Sequence, residues 1–238
     1  MKQIRIIIIT MCGIFCIINK ESVSYEKDEY IKKKFMKGVG RGPEYSTLQN
    51  NKESYKNITL GFHRLAINGL NSESNQPLQL DGYSLICNGE IYNYKELFKT
   101  VNITPKTDSD CEIIIHLVKK YGIEETLDLL DGVFAFVLVD SKNDKIYIAR
   151  DIYGVRPLFF GFMNKYEKTI CFASELKMLS GYCNNIQQFL PRTYSVFQYS
   201  ICESDPYWEY KIKNKYYNYG YITNSYKLSN YKNNILFK

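Results

Sequence analysis

The chain contains no Cys-x-x-C pair and only two histidines, His63 and His116, in 238 residues. A tetrahedral zinc centre draws on four closely spaced Cys or His ligands, so no metal site is expected. Seven cysteines, at 12, 16, 87, 111, 171, 183 and 202, form an odd set without a small-domain disulfide spacing. That excludes a disulfide framework and points to a reducing compartment, the cytoplasm, with most of these thiols buried as small hydrophobes. No apolar run is long enough to cross a bilayer: IIIITMCGIFCII follows the basic MKQIR as a signal sequence would, but NKESVS comes next rather than a small-residue cleavage site. Neither secretion nor a membrane partner is expected. The formal charge of +6 comes without a nucleic-acid motif, and many lysines fall in the last 35 residues among Asn and Tyr. They read as a solvated basic tail, and no nucleic-acid partner is expected. There is no internal repeat.

A hydrophobic content of 45% supplies a sizeable core. Residues 12–19 are apolar and β-branched enough for a buried strand, and 26–36 read as a helix carrying Tyr30, Ile31 and Phe35 near one face. RGPEYS at 41–46 reads as a loop, LGFHRLAI at 60–67 as a strand, and YSLICNG at 83–89 as a strand closing on an Asn-Gly turn. IYNYKELFKTV reads as a short helix. TDSDCEIIIHLVKKYG has helix-start chemistry at Asp108 or Ser109, apolar residues at 113, 114, 117, 118 and 121, and Gly122 as a C-cap. GVFAFVLVD, KIYIAR, PLFFGF and TICFAS are short strands joined by turns at Lys142 to Asp144, Tyr153-Gly154 and Asn164 to Glu167. Strands with a few helices, not strictly alternating, imply a layered α+β domain. From about Asp205 the apolar period fades, and a domain boundary is expected there.

Taken alone, the chemistry-bearing residues have plain readings. Cys12 is a strand thiol like Cys16, Asn88-Gly89 a tight turn, Arg64 a solvent-facing strand charge, and Asp110 a helix first-turn acid favoured by the macrodipole. His63 and His116 read as structural. Arg150, Asp151 and Arg156 in RDIYGVRPLFFG read as a structural signature around a turn and a buried ion pair.

Their order changes the reading. CGIF is followed by RGPEYS, GFHRLAI, NQPL, NGEIYNY, TDSDCE, DGVFAFVLVD, ARDIYGVRPLFFG and FASELKML, nearly continuously from Cys12 to about Trp208. This resembles the glutaminase domain of glutamine-hydrolysing asparagine synthetase, a class II, N-terminal-nucleophile glutamine amidotransferase. The resemblance implies a four-layer αββα sandwich. It also implies glutamine as substrate, hydrolysed to glutamate and ammonia through a γ-glutamyl thioester on Cys12, the ammonia being destined for asparagine synthesis from aspartate. Asn88 and Gly89 would form the oxyanion hole, and Arg64, Leu65, Ile67, Glu90 and Asp110 would bind the substrate.

In that family the cysteine is the first residue of the mature protein, and its own α-amine serves as the base. Such an amine titrates near 7.7–8, whereas a thiol near 8.5 is only a few per cent thiolate at neutral pH. Residues 1–11 are therefore expected to be a leader, a propeptide or a misassigned start, 12–204 the glutaminase domain, and 205–238 a basic tail at the start of a synthetase region. No cofactor is expected here. ATP and Mg would belong to a synthetase domain or subunit acting in trans, and no Gly-Gly pair is available for its pyrophosphate loop. The alternative is an inactive glutamine-binding or interaction module with a blocked Cys12 amine.

Overall fold

The computed structural model describes residues 11–19, 26–51, 58–163, 169–202 and 205–211. Residues 1–10, the turn expected at Asn164 to Glu167 and the tail beyond Lys211 lie outside the described residues.

The strands are β1 (Gly13–Asn19), β2 (Tyr45–Asn51), β3 (Ile58–Arg64), β4 (Leu78–Leu80), β5 (Tyr83–Ile91), β6 (Gly132–Asp140), β7 (Lys145–Arg150), β8 (Phe159–Phe162), β9 (Thr169–Ala173), β10 (Asn184–Gln188), β11 (Tyr194–Cys202) and β12 (Asp205–Lys211). The helices are α1 (Glu26–Met36), α2 (Tyr94–Val101), α3 (Glu112–Leu129) and α4 (Leu176–Leu179). One sheet has the order β10-β8-β9-β1-β3-β2 and the other β12-β11-β7-β6-β5-β4.

The layering follows from strands that are apolar at both parities. A strand with one wet face alternates, whereas β1 and β6 read as continuous hydrophobic runs because each is covered on both sides. In β1, Ile14, Cys16 and Ile18 enter the core between the sheets, while Phe15 and Ile17 pack with Ile31 and Phe35 of α1 and Met178 and Leu179 of α4. In β6, Ala135, Val137 and Val139 face the first sheet, while Phe134, Phe136 and Leu138 pack against α2 and α3. The order is helices, sheet, sheet, helices, the αββα sandwich the resemblance implies. Burying each Ile or Phe of these strands contributes about 2 kcal/mol, so a shift by one residue, which exchanges the two faces, is strongly disfavoured.

Several local expectations are corrected. RGPEYS is a loop only to Glu44, because β2 begins at Tyr45. It is an edge strand of polar residues, so it carries no apolar alternation to read. Asn88-Gly89 is not a turn: β5 continues to Ile91, with Asn88 paired to Ala135 and Gly89 to Phe134. α3 starts at Glu112 rather than Asp108 or Ser109. The Glu112 carboxylate turns back to accept hydrogen bonds from Lys106 N at 2.8 Å and Thr107 N at 2.6 Å. Gly122 leaves helical geometry at φ +81 and ψ 175, a kink outside the left-handed geometry of a C-cap, and helix resumes beyond it to Leu129. Tyr121 is 41% exposed, off the buried face. The boundary expected at Asp205 falls within the β11–β12 pairing, which carries the second sheet to Lys211.

Candidate active site

Cys12 stands just before β1, whose neighbour β3 ends at Arg64, so the chain just beyond β3 comes to lie beside the thiol. The Cys12 Sγ accepts from Leu65 N and donates to Leu65 O, each at 3.3 Å. Burial pushes this thiol up from its ordinary value, opposed by the Leu65 N–H and the charges of Arg156 and Arg64, with the Cys87 thiol adding to the rise. A thiol so placed stays protonated near neutrality and needs a base to become a nucleophile. The Cys12 carbonyl is held by Arg41 Nε at 2.8 Å, and the next turn of chain is fixed by Ser174, whose Oγ accepts from Ile14 N at 2.9 Å.

β5 lies in the facing sheet. Its alternation puts Asn88 on the same side as Ile86, the face between the sheets where Cys12 also packs. Asn88 is 1% exposed, and its Nδ2 has no hydrogen-bond partner among the described residues. Such a donor costs stability and rarely persists without a use. Gly89 is required by packing, since a Cβ there would lie 2.6 Å from Val133 O and 2.7 Å from Phe134 Cβ. Glu90, next on the Asn88 face, accepts from Arg156 Nη2 at 2.8 Å, and Arg156 Nη1 also contacts the Met11 sulfur.

Arg64 is buried and organises the loop that follows it. Its Nη1 donates to Asn71 O at 3.0 Å and to Asn75 Oδ1 at 2.5 Å, and its Nη2 to Gly69 O. These three bonds leave the Nε–H and one Nη2–H, the side of the guanidinium that can grip a carboxylate with two parallel bonds. Asp110 is 5% exposed and accepts from Ile91 N at 2.6 Å. Burial pushes its carboxyl up, the Glu90 carboxylate adds to that, and hydrogen bonds from Ile91 and Asn68 oppose it. A buried acid beside a second acid, with no cation bonded to it, is a site that gains from a positively charged ligand.

Cys12, Arg64, Leu65, Glu90 and Asp110 are thus linked by hydrogen bonds or by direct electrostatic influence, with Asn88 and Gly89 on the strand between them. Ile67 is 56% exposed on the loop after Leu65. His63 is buried and structural: its ring stacks on Phe35 at 3.9 Å and bonds Ser46 Oγ and Phe35 O. His116 bonds Glu112 at 3.0 Å.

Within RDIYGVRPLFFG the buried Arg150 and Asp151 attract each other, and both are also fixed by backbone groups of the turn. The Asp151 carboxylate accepts from the backbone N–H of Phe134, Tyr153, Val155 and Arg156, while Arg150 donates to the carbonyls of Gly154, Arg156 and Phe189. Arg156 of the same motif pairs with Glu90 at 2.8 Å. Arg41, Arg156 and Glu175 were missed as site residues, although all three sit inside motifs that carried the resemblance. Among the described residues no group of three or more His, Cys, Asp or Glu side chains could hold a metal ion, and no helix is long and apolar enough to cross a membrane.

Comparison with known proteins identifies the family. The sequence pattern of the family described as Glutamine amidotransferase domain matches residues 11–213. The chain is 40% identical over 199 residues to a probable asparagine synthetase [glutamine-hydrolyzing] of Acanthamoeba polyphaga mimivirus, covering 83% of this chain and 36% of that protein. It is 39% identical over 172 residues to the asparagine synthetase [glutamine-hydrolyzing] of Homo sapiens, covering 68% of this chain and 30% of that one. The chain spans about a third of the length of these curated relatives. Among solved structures it superposes on the glutamine phosphoribosylpyrophosphate amidotransferase of B. subtilis with a TM-score of 0.61 at 21% identity, over 83% of this chain and 49% of that one, a likeness of fold. The chain belongs to the glutamine amidotransferase domain family, as a homologue of part of the glutamine-hydrolysing asparagine synthetases.

Proposed function

We propose that this domain hydrolyses glutamine to glutamate and ammonia, with Cys12 as nucleophile in a chain that begins at that residue. Arg64 takes the α-carboxylate of glutamine, and Asp110, with Glu90 nearby, takes the α-ammonium. The Cys12 Sγ attacks the side-chain carbonyl carbon while the α-amine accepts the thiol proton, directly or through water. The tetrahedral oxyanion is met by Asn88 Nδ2 and the Gly89 N–H. Its collapse breaks the C–N bond, the α-ammonium returns the proton to the departing nitrogen, and ammonia leaves. Water then cleaves the γ-glutamyl thioester to give glutamate and the free thiol. A thiol that burial holds protonated is compatible with this scheme, because proton transfer accompanies attack.

The observation that carries this reading is the buried, unpartnered Asn88 Nδ2 on the face where Cys12 packs. The wider assignment is that residues 1–11 are removed, that the domain starts at Cys12, and that its ammonia serves asparagine synthesis from aspartate on a synthetase domain or subunit. ATP and Mg would act in that partner. Among the described residues six cysteines are free thiols, which fits work in the reducing cytoplasm.

A second reading has one observation behind it. Where Met11 remains attached, its sulfur contacts Arg156 and the Cys12 nitrogen is an amide, which leaves a glutamine-binding module without its base. Intact mass of the protein from its native source, with glutamate release measured on the same sample, separates the two. The expected result is a chain starting at Cys12 whose activity disappears in Cys12→Ala. Turnover by a chain retaining Met11, or by Cys12→Ala, would defeat the proposed mechanism.

A further inference from the structure

Gln76 has no part in the scheme above, yet it is buried at the end of the loop that Arg64 organises. β4 pairs with β5 from Leu80 opposite Tyr83 to Leu78 opposite Leu85, and there it ends. Continued, that register would set position 76 opposite Cys87. The side chain of Gln76 makes the pairing instead of its main chain. Cys87 N donates to Gln76 Oε1 at 2.5 Å, and Gln76 Nε2 donates to Cys87 O at 3.2 Å. One amide, with its donor and its acceptor, reproduces the two bonds of an antiparallel residue pair. Its neighbour Asn75 is fixed in turn, because its Oδ1 accepts from Arg64 Nη1 at 2.5 Å and its N donates to Ser72 O at 3.0 Å.

Alternate residues of an antiparallel strand turn their N–H and C=O to the same edge. With Cys87 bonded to Gln76, the residues Leu85, Cys87, Gly89 and Ile91 turn theirs to the β4 edge of β5. Along that edge the partners pass from main chain to side chains. Leu85 stands opposite Leu78, Cys87 has the Gln76 amide, and Ile91 N donates to the Asp110 carboxylate at 2.6 Å. Gly89 lies between the last two. Its carbonyl accepts from the Cys111 thiol at 3.9 Å, while its N–H lies past the end of β4, where the ladder offers it no partner. A β4 main chain running on in register would bring position 74 opposite Gly89 and could occupy that N–H. A side chain closes the ladder after one pair and goes no further.

We propose that Gln76 is a positioning residue for the oxyanion donors: its amide completes the edge of β5 as far as Cys87, which holds the Asn88 and Gly89 peptides in place and leaves the Gly89 N–H as the first open donor. This rests on the reading that Asn88 and Gly89 receive the oxyanion.

The test uses chains whose first residue is verified as Cys12 by intact mass. Gln76→Met keeps the side chain's length without its hydrogen bonds. Gln76→Glu is the conservative variant, since a buried carboxyl that keeps its proton offers one donor and one acceptor, as the amide does. In Gln76→Met, kcat should fall about 10- to 100-fold with KM for glutamine within about threefold, because a displaced oxyanion donor is felt in the transition state. Gln76→Glu should recover most of that loss. Asn-Gly occurs at 68–69 and at 88–89, so labelling Asn carbonyls with 13C and Gly nitrogens with 15N leaves two NMR signals, one of them the Gly89 N–H. That signal should move in Gln76→Met and return in Gln76→Glu, with or without turnover. Hydrogen exchange on the parent needs no variant: the Cys87 N–H should exchange more slowly than the Gly89 N–H. An unchanged kcat in Gln76→Met, a loss confined to KM, an unmoved Gly89 signal, or a Cys87 N–H that exchanges as fast as that of Gly89 overturns the inference. A parent chain that releases no glutamate, while the Gly89 signal moves in Gln76→Met, defeats the functional reading and leaves Gln76's hold on β5 standing.

Discussion

The Asp110 carboxylate, just ahead of α3, accepts a hydrogen bond from the backbone N–H of Ile91, at the end of β5, at 2.6 Å. That bond ties the loop bearing the proposed ammonium contact to the strand bearing the proposed oxyanion donors. It does not compensate for burial, which pushes the carboxyl above its ordinary 3.8.

Asp110→Asn should therefore raise stability at neutral pH while weakening glutamine. The folded state holds the Asp110 proton to higher pH than the unfolded chain does. Stability from this group is thus full below 3.8, is lost as pH rises toward the raised value, and stays lost above it. The variant should show a flatter rise and fall of denaturation midpoint above about pH 4, with glutamine affinity reduced about 10- to 100-fold for loss of a charge-assisted bond. Urea titrations at several pH values, with binding by calorimetry, check both.

Asn88→Ala should separate catalysis from stability in the same way. Loss of one oxyanion donor lowers kcat about 10²- to 10³-fold with little change in KM. Stability should hold or improve, because an unpartnered buried amide costs about 1–3 kcal/mol. A variant that loses several kcal/mol by denaturant titration would mean that Nδ2 has a structural partner.

Gly89→Ala should do the reverse. Its Cβ would meet Val133 O at 2.6 Å and Phe134 Cβ at 2.7 Å, both in a paired strand that cannot yield without breaking the ladder. Destabilisation above about 2 kcal/mol is expected, read as a lowered thermal midpoint.

Alkylation of Cys12 by iodoacetamide should report on its neighbouring nitrogen. With Met11 attached, burial keeps the thiol protonated, so the rate at pH 7 should be low and should climb about tenfold per pH unit until beyond pH 9. A chain beginning at Cys12 should react faster near neutrality. Mass spectrometry of the modified peptide gives both rates, and equal rates would remove the amine from the mechanism.

β1 and β6 were readable as strands because they are apolar at both parities, as strands covered on two sides are, while the four-layer order was implied by the resemblance. The misses have physical causes. β2 is a polar edge strand whose pairing with β3 is held by backbone bonds that composition does not mark. Asn-Gly is a common turn pair, but here Asn88 and Gly89 sit opposite Ala135 and Phe134, and long-range pairing overrides the local preference. α3 begins late because Glu112 spends its carboxylate on Lys106 and Thr107 instead of leaving Asp108 or Ser109 to cap the helix. Cys12, Asn88 and Asp110 were legible as candidates through motif order. Arg41 and Arg156 were not, since their partners lie 134 and 66 residues away in Glu175 and Glu90.

The sequence by itself determined many of the strands and helices and a layered α+β domain, because these follow from local periodicity, while its motif order carried the resemblance that implied four layers and the site residues. Only the tertiary structure decided which charges meet. It put Arg41 on the Cys12 carbonyl, Arg156 on Glu90, and an unpartnered Asn88 amide on the nucleophile's face, because antiparallel pairing and sheet stacking join residues far apart in the chain whose attraction takes effect only after water has been excluded between them.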